Sequence, residues 1–201
     1  SRQHHTYNQD FNGKDQEGVG VYQVTQKNGQ RCSAAVAYLN PAKERKNLTV
    51  LTDTIVDKII FENLEAKKII CITNGEKVEL SAKKEIILSG GAYGSPTILM
   101  RSGIGDEDYL SSVGVECVHN LKGVGQNLQD HIDYITCHRA DSWSLFGNFL
   151  RDLRFSLRAP IELLKYLLFR SGMLTSPLAE GAGFIKSSNE QEIPDLSLIH
   201  I

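Results

Sequence analysis

The chemistry this sequence offers sits in two glycine clusters. The first is EIILSGGAYGSPTILMRSGIG, residues 85–105, where an apolar segment runs into Gly90 and Gly91 and then into Ser95 and Pro96. Strand, glycine loop, helix start is a phosphate-binding layout: glycines let a ligand approach the backbone, and the helix end offers oriented N–H groups and partial positive charge to an anion. A tight turn between a strand and a helix uses the same residues, and GGAYG lacks the G-x-G-x-x-G spacing. The second cluster is LKGVGQNLQDH, residues 121–131, whose Asn127, Asp130 and His131 suit a ligand contact or a buried polar corner. Of the six histidines, His4, His5, His119, His131, His138 and His200, His131 is the one beside such a cluster, and imidazole titrates near the pH that acid–base chemistry requires. The four cysteines, Cys32, Cys71, Cys117 and Cys137, form no C-x-x-C pair, which argues against a zinc or thioredoxin-like site and for reduced thiols; no metal site is expected.

The elements that must position these residues follow from patterning. GVYQVTQ reads as a strand, Lys27-Asn28-Gly29-Gln30 as a turn, and SAAVAYL as a helix with Ser33 as its N-cap. NLTVLTDTIVDKIIFE is rich in β-branched residues with a break at Asp53, and KKIICIT meets EKVEL across Asn74-Gly75, the dipeptide that suits a two-residue hairpin turn. Together they predict a small antiparallel meander. KEIILSG predicts a further strand, and SPTILMRSG a helix with Ser95 as cap, Pro96 in its first turn and Gly103 closing its far end. Downstream, Phe146, Phe149, Leu150, Leu153 and Leu157 fall at helical spacing, Pro160 interrupts, and Ile161, Leu164, Leu167 and Leu168 resume the pattern, predicting two amphipathic helices. Arg151, Arg154, Arg158, Lys165 and Arg170 make this region basic, which suits a membrane surface or a quinone-delivering face. The plainer reading, preferred on spacing alone, packs the stripe on a neighbouring domain with the arginines in solvent.

Composition narrows the class. With 201 residues, 41% hydrophobic and 23% charged, the chain is long enough for one large or two small domains and is neither disordered nor a disulfide scaffold. A net charge of -2 gives no overall field for gathering nucleic acid. No apolar run reaches the roughly 18 residues of a membrane span. The polar start lacks signal-peptide character, and with reduced thiols this points to the cytoplasm, at the inner face of a membrane if the basic helices meet one. LSLIHI, residues 196–201, follows polar SSNEQEIPD abruptly; it reads as an adapter-derived, non-native tail, with an edge strand as the alternative.

Taken together, the motifs are more specific than any one of them. EIILSGGAYGSPTILMRSGIG closely resembles the second signature of the glucose-methanol-choline oxidoreductases, flavoenzymes that oxidise alcohols, and LKGVGQNLQDH resembles the segment that follows it in that family. Residues 10–62 resemble the stretch before the signature, and SGMLTSPLAEGAGFIKS one in the substrate domain after it, so the likeness covers residues 10–195. The wording is nearest the choline-dehydrogenase-like and alcohol-dehydrogenase-like branch.

The resemblance implies an α/β fold, α+β overall. Residues 33–137 would be part of a discontinuous Rossmann-like FAD-binding domain with the antiparallel meander, and residues 1–32 and 138–195 part of a substrate domain of antiparallel sheet and helices. It implies FAD as cofactor, held by Ser89, Gly90, Gly91 and Ala92 along the dinucleotide, with Ser95 and Pro96 starting the adjacent helix. Val56 matches a position whose backbone holds the adenine edge, and Asn127, Asp130 and His131 match the family's N-L-x-D-H motif. It further implies a small alcohol as substrate, choline or aliphatic, hydride transfer to flavin N5, and a quinone or other electron acceptor. None of the six histidines matches the family's catalytic position, and the N-terminal G-x-G-x-x-G fingerprint is not in the chain, so no catalytic residue is assigned and the isolated chain is expected to bind FAD poorly and be inactive. A non-catalytic flavin-binding homologue and a nicotinamide-dependent α/β enzyme are the alternatives. The antiparallel meander and the N-L-x-D-H segment weigh against the second.

Overall fold

A computed structural model describes residues 5–136, 153–176 and 180–200. In chain order the elements are β1 (Gly18–Val21), β2 (Gln26–Lys27), β3 (Gln30–Arg31), a π-helical turn (Ala35–Leu39) leading into α1 (Asn40–Ala42), β4 (Thr54–Glu62), β5 (Glu65–Thr73) and β6 (Glu76–Ser81). They continue with α2 (Gly91–Arg101), β7 (Ile104–Gly105), α3 (Glu107–Ser112), β8 (His119–Asn120), α4 (Leu153–Phe169), a 3-10 turn (Met173–Thr175), β9 (Gly181–Ile185) and β10 (Leu196–His200). The chain divides into two compact units, residues 49–137 and residues 1–48 with 138–201.

The 49–137 unit is built on the predicted meander, with strand order β4-β5-β6 and both pairings antiparallel. Asn74 and Gly75 take φ of 52° and 86° and let Thr73 pair Glu76, the two left-handed residues a tight hairpin needs. A second such turn was not legible: Asn63 and Leu64, at φ 52° and 64°, join Glu62 to Glu65, and leucine is no turn signal. The break at Asp53 is real and takes φ 53°, one residue before β4. Within β4 the register slips between Val56 and Lys58, so Asp57 is an extra, bulged residue. Ile59, Ile70, Cys71, Ile104 and Leu110 form the buried core. Asp106 caps α3 through a 3.0 Å bond from the Tyr109 N–H, and Ile104 pairs His119 in a short parallel ladder.

Helix α2 departs from the sequence reading. It starts at Gly91 with Gly90 as N-cap, four residues before Ser95, so Ser95 does not cap it from in front and Pro96 lies inside it. Ser95 Oγ instead reaches back and accepts the Gly90 N–H at 2.9 Å, filling one of the donors a helix start leaves free, while Pro96 lacks the N–H that would bond the Ala92 carbonyl. The far end is as expected: Ser102 ends the helix and Gly103, at φ 84°, turns the chain. The expected strand before the glycines has no ladder partner among the described residues, and Ile87 is exposed.

In the other unit, β9 is the centre of a three-stranded antiparallel sheet flanked by β1 and β10. Phe11 packs on Phe184 and Tyr22 with ring centroids 5.1 and 5.9 Å away, and with Ala182 makes the core. Residues 26–31 form the predicted turn, Asn28 and Gly29 both left-handed. The SAAVAYL helix is present as the π-helical turn and α1, and Ser33 Oγ accepts from Val36 N–H at a long 3.4 Å. The tail at 196–200 pairs along β9, Leu196 opposite Ile185, as alternating apolar residues do beside an open sheet edge. Instead of ending at Pro160, α4 runs through it; the lost hydrogen bond is outweighed by helix-favouring Leu, Arg, Glu and Lys on both sides. Phe146, Phe149 and Leu150, predicted to open the first of two helices, lie outside the described residues.

Candidate functional site

Helix α2 owes its position to its last turn. Ser102, only 6% exposed, accepts the Ile59 N–H of β4 at 2.8 Å and donates back to the Ile98 carbonyl at 2.6 Å. Arg101 pairs with the bulged Asp57 on the same strand, and a cation in the last turn also suits the helix dipole. Neither anchor was found by sequence reasoning, because Ser102 reads as a helix-end residue and Arg101 as a surface charge until the strand beside them is known.

Held this way, α2 forms one wall of a cleft of about 740 Å³, and the loop at 123–129 forms the other. The helix side is Ala92, Pro96 and Met100, at the i, i+4, i+8 spacing of one face, with Tyr93 and Ser95 beside them. That periodicity was the available signal for Tyr93, Leu99 and Met100, which were missed. The loop side carries Gly123, Gly125, Asn127 and Leu128; Asn127 is left-handed at φ 56°, and a Cβ on Gly125 would touch Met100 at 3.4 Å.

Of the residues singled out from sequence, the cleft gathers Ala92, Ser95, Pro96 and Asn127. Ser89, Gly90 and Gly91 lead into the same helix end but do not line the cleft, and Gly91 is left-handed at φ 77°. Asp130 and His131 follow the loop, are exposed and do not line it; Asp130 Oδ1 accepts the His131 backbone N–H at 2.8 Å, a local contact. Val56 is half-buried on β4, opposite Cys71 and next to the bulge. Among the described residues no cluster of histidine, cysteine or acidic side chains could hold a metal, and Cys32, Cys71 and Cys117 are free thiols.

The other unit has a hollow of about 690 Å³ edged by Gln23, Gln26, Gln30, Arg31, Tyr166 and Thr175. It offers amides, hydroxyls, the Arg31 guanidinium and one aromatic ring, Tyr166, but no carboxylate, so it lacks the acidic group that a quaternary ammonium would select. No helix among the described residues is long and apolar enough to cross a membrane.

The chain is 42% identical over 195 residues to an alcohol dehydrogenase (acceptor) of Pseudomonas putida, covering 95% of this chain and 34% of that protein. It is 40% identical over 187 residues to an oxygen-dependent choline dehydrogenase of Staphylococcus aureus, covering 93% and 32%. It thus spans about a third of the length of these relatives. In structure, an FAD-dependent oxidoreductase of Chaetomium thermophilum superposes with a TM-score of 0.74 at 26% identity, over 89% of this chain and 32% of that one. Residues 2–133 match the model of the GMC oxidoreductases, and the chain belongs to that family.

Proposed function

We propose that this chain supplies part of the FAD site of an oxidoreductase that acts on the CH–OH group of a primary alcohol, with choline and aliphatic alcohols as the leading substrates. The observation that carries the reading is the glycine start of α2 beside the cleft. Apart from the helix's own backbone, a Cβ placed on Gly91 or Gly94 would meet no atom within 4 Å, so these two positions are open to a ligand that lies against the backbone, whereas a Cβ on Gly90 would crowd the Ser95 nitrogen at 3.0 Å. Ser89, Gly90, Gly91 and Ala92 would follow the dinucleotide there, Ser95 and Pro96 shaping the same end. Val56 would offer backbone N–H and C=O to the adenine. Asn127 would meet the cofactor from the opposite wall, with Asp130 and His131 at the end of that loop. Bound, FAD would supply the hydride acceptor at N5; the residues described here bind and orient, and none is assigned the substrate proton.

The same reading assigns residues 33–137 to a Rossmann-like FAD-binding domain, and residues 1–32 and 138–195 to a substrate domain. The compact unit at residues 49–137 supports the first assignment and the grouping of residues 1–48 with 138–201 supports the second, except that residues 33–48 cluster with the latter and not with the FAD-binding portion. Residues 196–201 are assigned as an adapter-derived tail, of which residues 196–200 pair along β9. Electrons would leave to a quinone or another acceptor, in the cytoplasm, and α4 would make the membrane contact. Support for that contact is its described stripe, Ile161, Leu164, Leu167 and Leu168, all more than half exposed at 55, 56, 57 and 63%, with Lys165 next to Leu164 in the same helix.

The test is made on the full-length protein. Stoichiometric flavin absorbance that bleaches anaerobically on addition of choline or a primary alcohol is the expected result. Flavin that no alcohol reduces would leave a flavin-binding homologue without catalysis, and absence of flavin would overturn the site. The 201-residue chain alone is expected to bind FAD weakly. Sedimentation of the full-length protein with anionic vesicles, lost on Leu164→Glu, checks the membrane contact.

A further inference from the structure

Helix α2 and strand β4 carry the two ends of the proposed dinucleotide site, and one buried side chain joins them. Gly90 and Gly91 lie at the N-terminal end of α2, and Val56 lies on β4 three residues before Ile59. At the other end of the helix, Ser102 Oγ holds the Ile59 N–H at 2.8 Å and its own helix through the Ile98 carbonyl at 2.6 Å. With 11 residues, α2 is a lever about 16 Å long. A tilt of about 5° at Ser102 moves Gly91 by roughly 1.4 Å relative to Val56. The Asp57 pair does not replace this constraint: Arg101 is 59% exposed on a flexible stem, whereas the serine is 6% exposed, short, and bonded as both donor and acceptor.

We infer that Ser102 is a positioning residue for the cofactor: it sets the separation between the backbone of Val56, which would meet the adenine, and the helix start that would meet the rest of the dinucleotide. The inference rests on the FAD reading above. It predicts that Ser102 matters for a ligand spanning both ends and not for one that reaches a single end.

The experiment compares FAD with FMN, which lacks the adenylate, on apo full-length protein, following flavin fluorescence in the parent, Ser102→Ala and Ser102→Thr. The hydroxyl's removal is expected to weaken FAD about tenfold, the scale of one hydrogen bond's free energy, and to leave FMN within about twofold. Ser102→Thr, which keeps the hydroxyl, is expected to recover most of the FAD affinity. Loss of FAD and FMN in equal measure would make Ser102 a fold stabiliser only, and no loss of either would dismiss it; both overturn the inference. Failure of the parent protein to bind FAD removes the cofactor reading itself, and this inference with it. Should Ser102→Ala not fold, Ser102→Cys, with a weaker donor and acceptor, carries the same comparison.

Discussion

Helices α2 and α4 are built on one plan and used in opposite ways. Each contains a proline, and each is seated by a buried polar side chain, Ser102 at 6% exposure and Glu162 at 5%, the two buried polar residues among those described. Ser102 reaches a separate strand, Ile59 of β4. Glu162 reaches along its own chain, accepting from Lys165 Nζ at 2.8 Å and from the Met173 N–H at 2.9 Å in the turn that follows. Their apolar sides differ accordingly. On α2 the side chains of Met100, Leu99 and Pro96 face a cleft of this chain. On α4 Glu162 is buried, and Ile161, Leu164, Leu167 and Leu168 are exposed. Ser102 thus bonds to a strand 43 residues away, whereas the bonds of Glu162 to Lys165 and Met173 stay within 11 residues of it.

The largest effect is expected where α2 ends. Gly103 is left-handed at φ 84°, and a Cβ there would lie 2.6 Å from the Glu116 carbonyl oxygen and 2.8 Å from Val118 Cγ2. Gly103→Ala should therefore cost about 2 to 4 kcal/mol in urea unfolding, from strain and crowding together. Gly114 is also left-handed, at φ 75°, but open, so Gly114→Ala isolates the strain at about 1 kcal/mol. Equal costs would show that the close packing behind Gly103 is not what seats α2.

Next comes the seat of α4. Glu162→Ala removes a buried acceptor from the Met173 N–H and a partner from Lys165, and a loss of about 1 to 2 kcal/mol is expected from these two bonds, one of them to a charged group. Thermal unfolding followed at probes in each unit should place that loss in residues 1–48 and 138–201, not in 49–137. A loss shared by both would erase the contrast between a locally tied helix and one tied across a sheet.

How much of this the sequence disclosed depends on how local each cause is. The Asn28-Gly29 and Asn74-Gly75 turns were legible because asparagine and glycine accept positive φ whatever surrounds them. Asn63-Leu64 was hidden because the strands on either side, and not the leucine, impose its conformation. Ser95-Pro96 misled for the opposite reason: the pair signals a helix start, but Gly90 can cap from five residues further back once Ser95 Oγ supplies its acceptor. In the candidate site, sequence found the glycine start, Ala92, Ser95, Pro96 and Asn127, but not Ser102, whose partner lies 43 residues away on a strand. Leu64 gives this lesson a small, favourable test. Leu64→Gly relieves a left-handed leucine that is 67% exposed, and should raise stability by about 0.5 to 1 kcal/mol in the α2 unit. No gain would mean that the leucine's contacts offset its strain.

The smallest effect separates the two units by pH. In the α4 unit, between β9 and β10, Asp195 accepts the Ser187 hydroxyl at 2.5 Å and its backbone N–H at 2.7 Å, and these two bonds hold its carboxyl below the ordinary value of 3.8. A carboxyl whose folded pKa is depressed contributes its full stabilisation above its unfolded pKa, and that contribution disappears as pH falls through the folded value. The 187–195 loop should therefore be as well held at pH 7 as at pH 5, and loosen below about pH 4, where the carboxylate begins to take up protons. Amide exchange at Ser187, corrected for intrinsic rates, would read this directly, and Asp195→Asn should show the loosened behaviour already at neutral pH. The Ile59 amide, bonded to Ser102 in the other unit, should not follow the Asp195 titration. If it did, the two units would be opening together, and the difference between a helix bonded to a distant strand and one bonded along its own chain would belong to the folded geometry without extending to its stability.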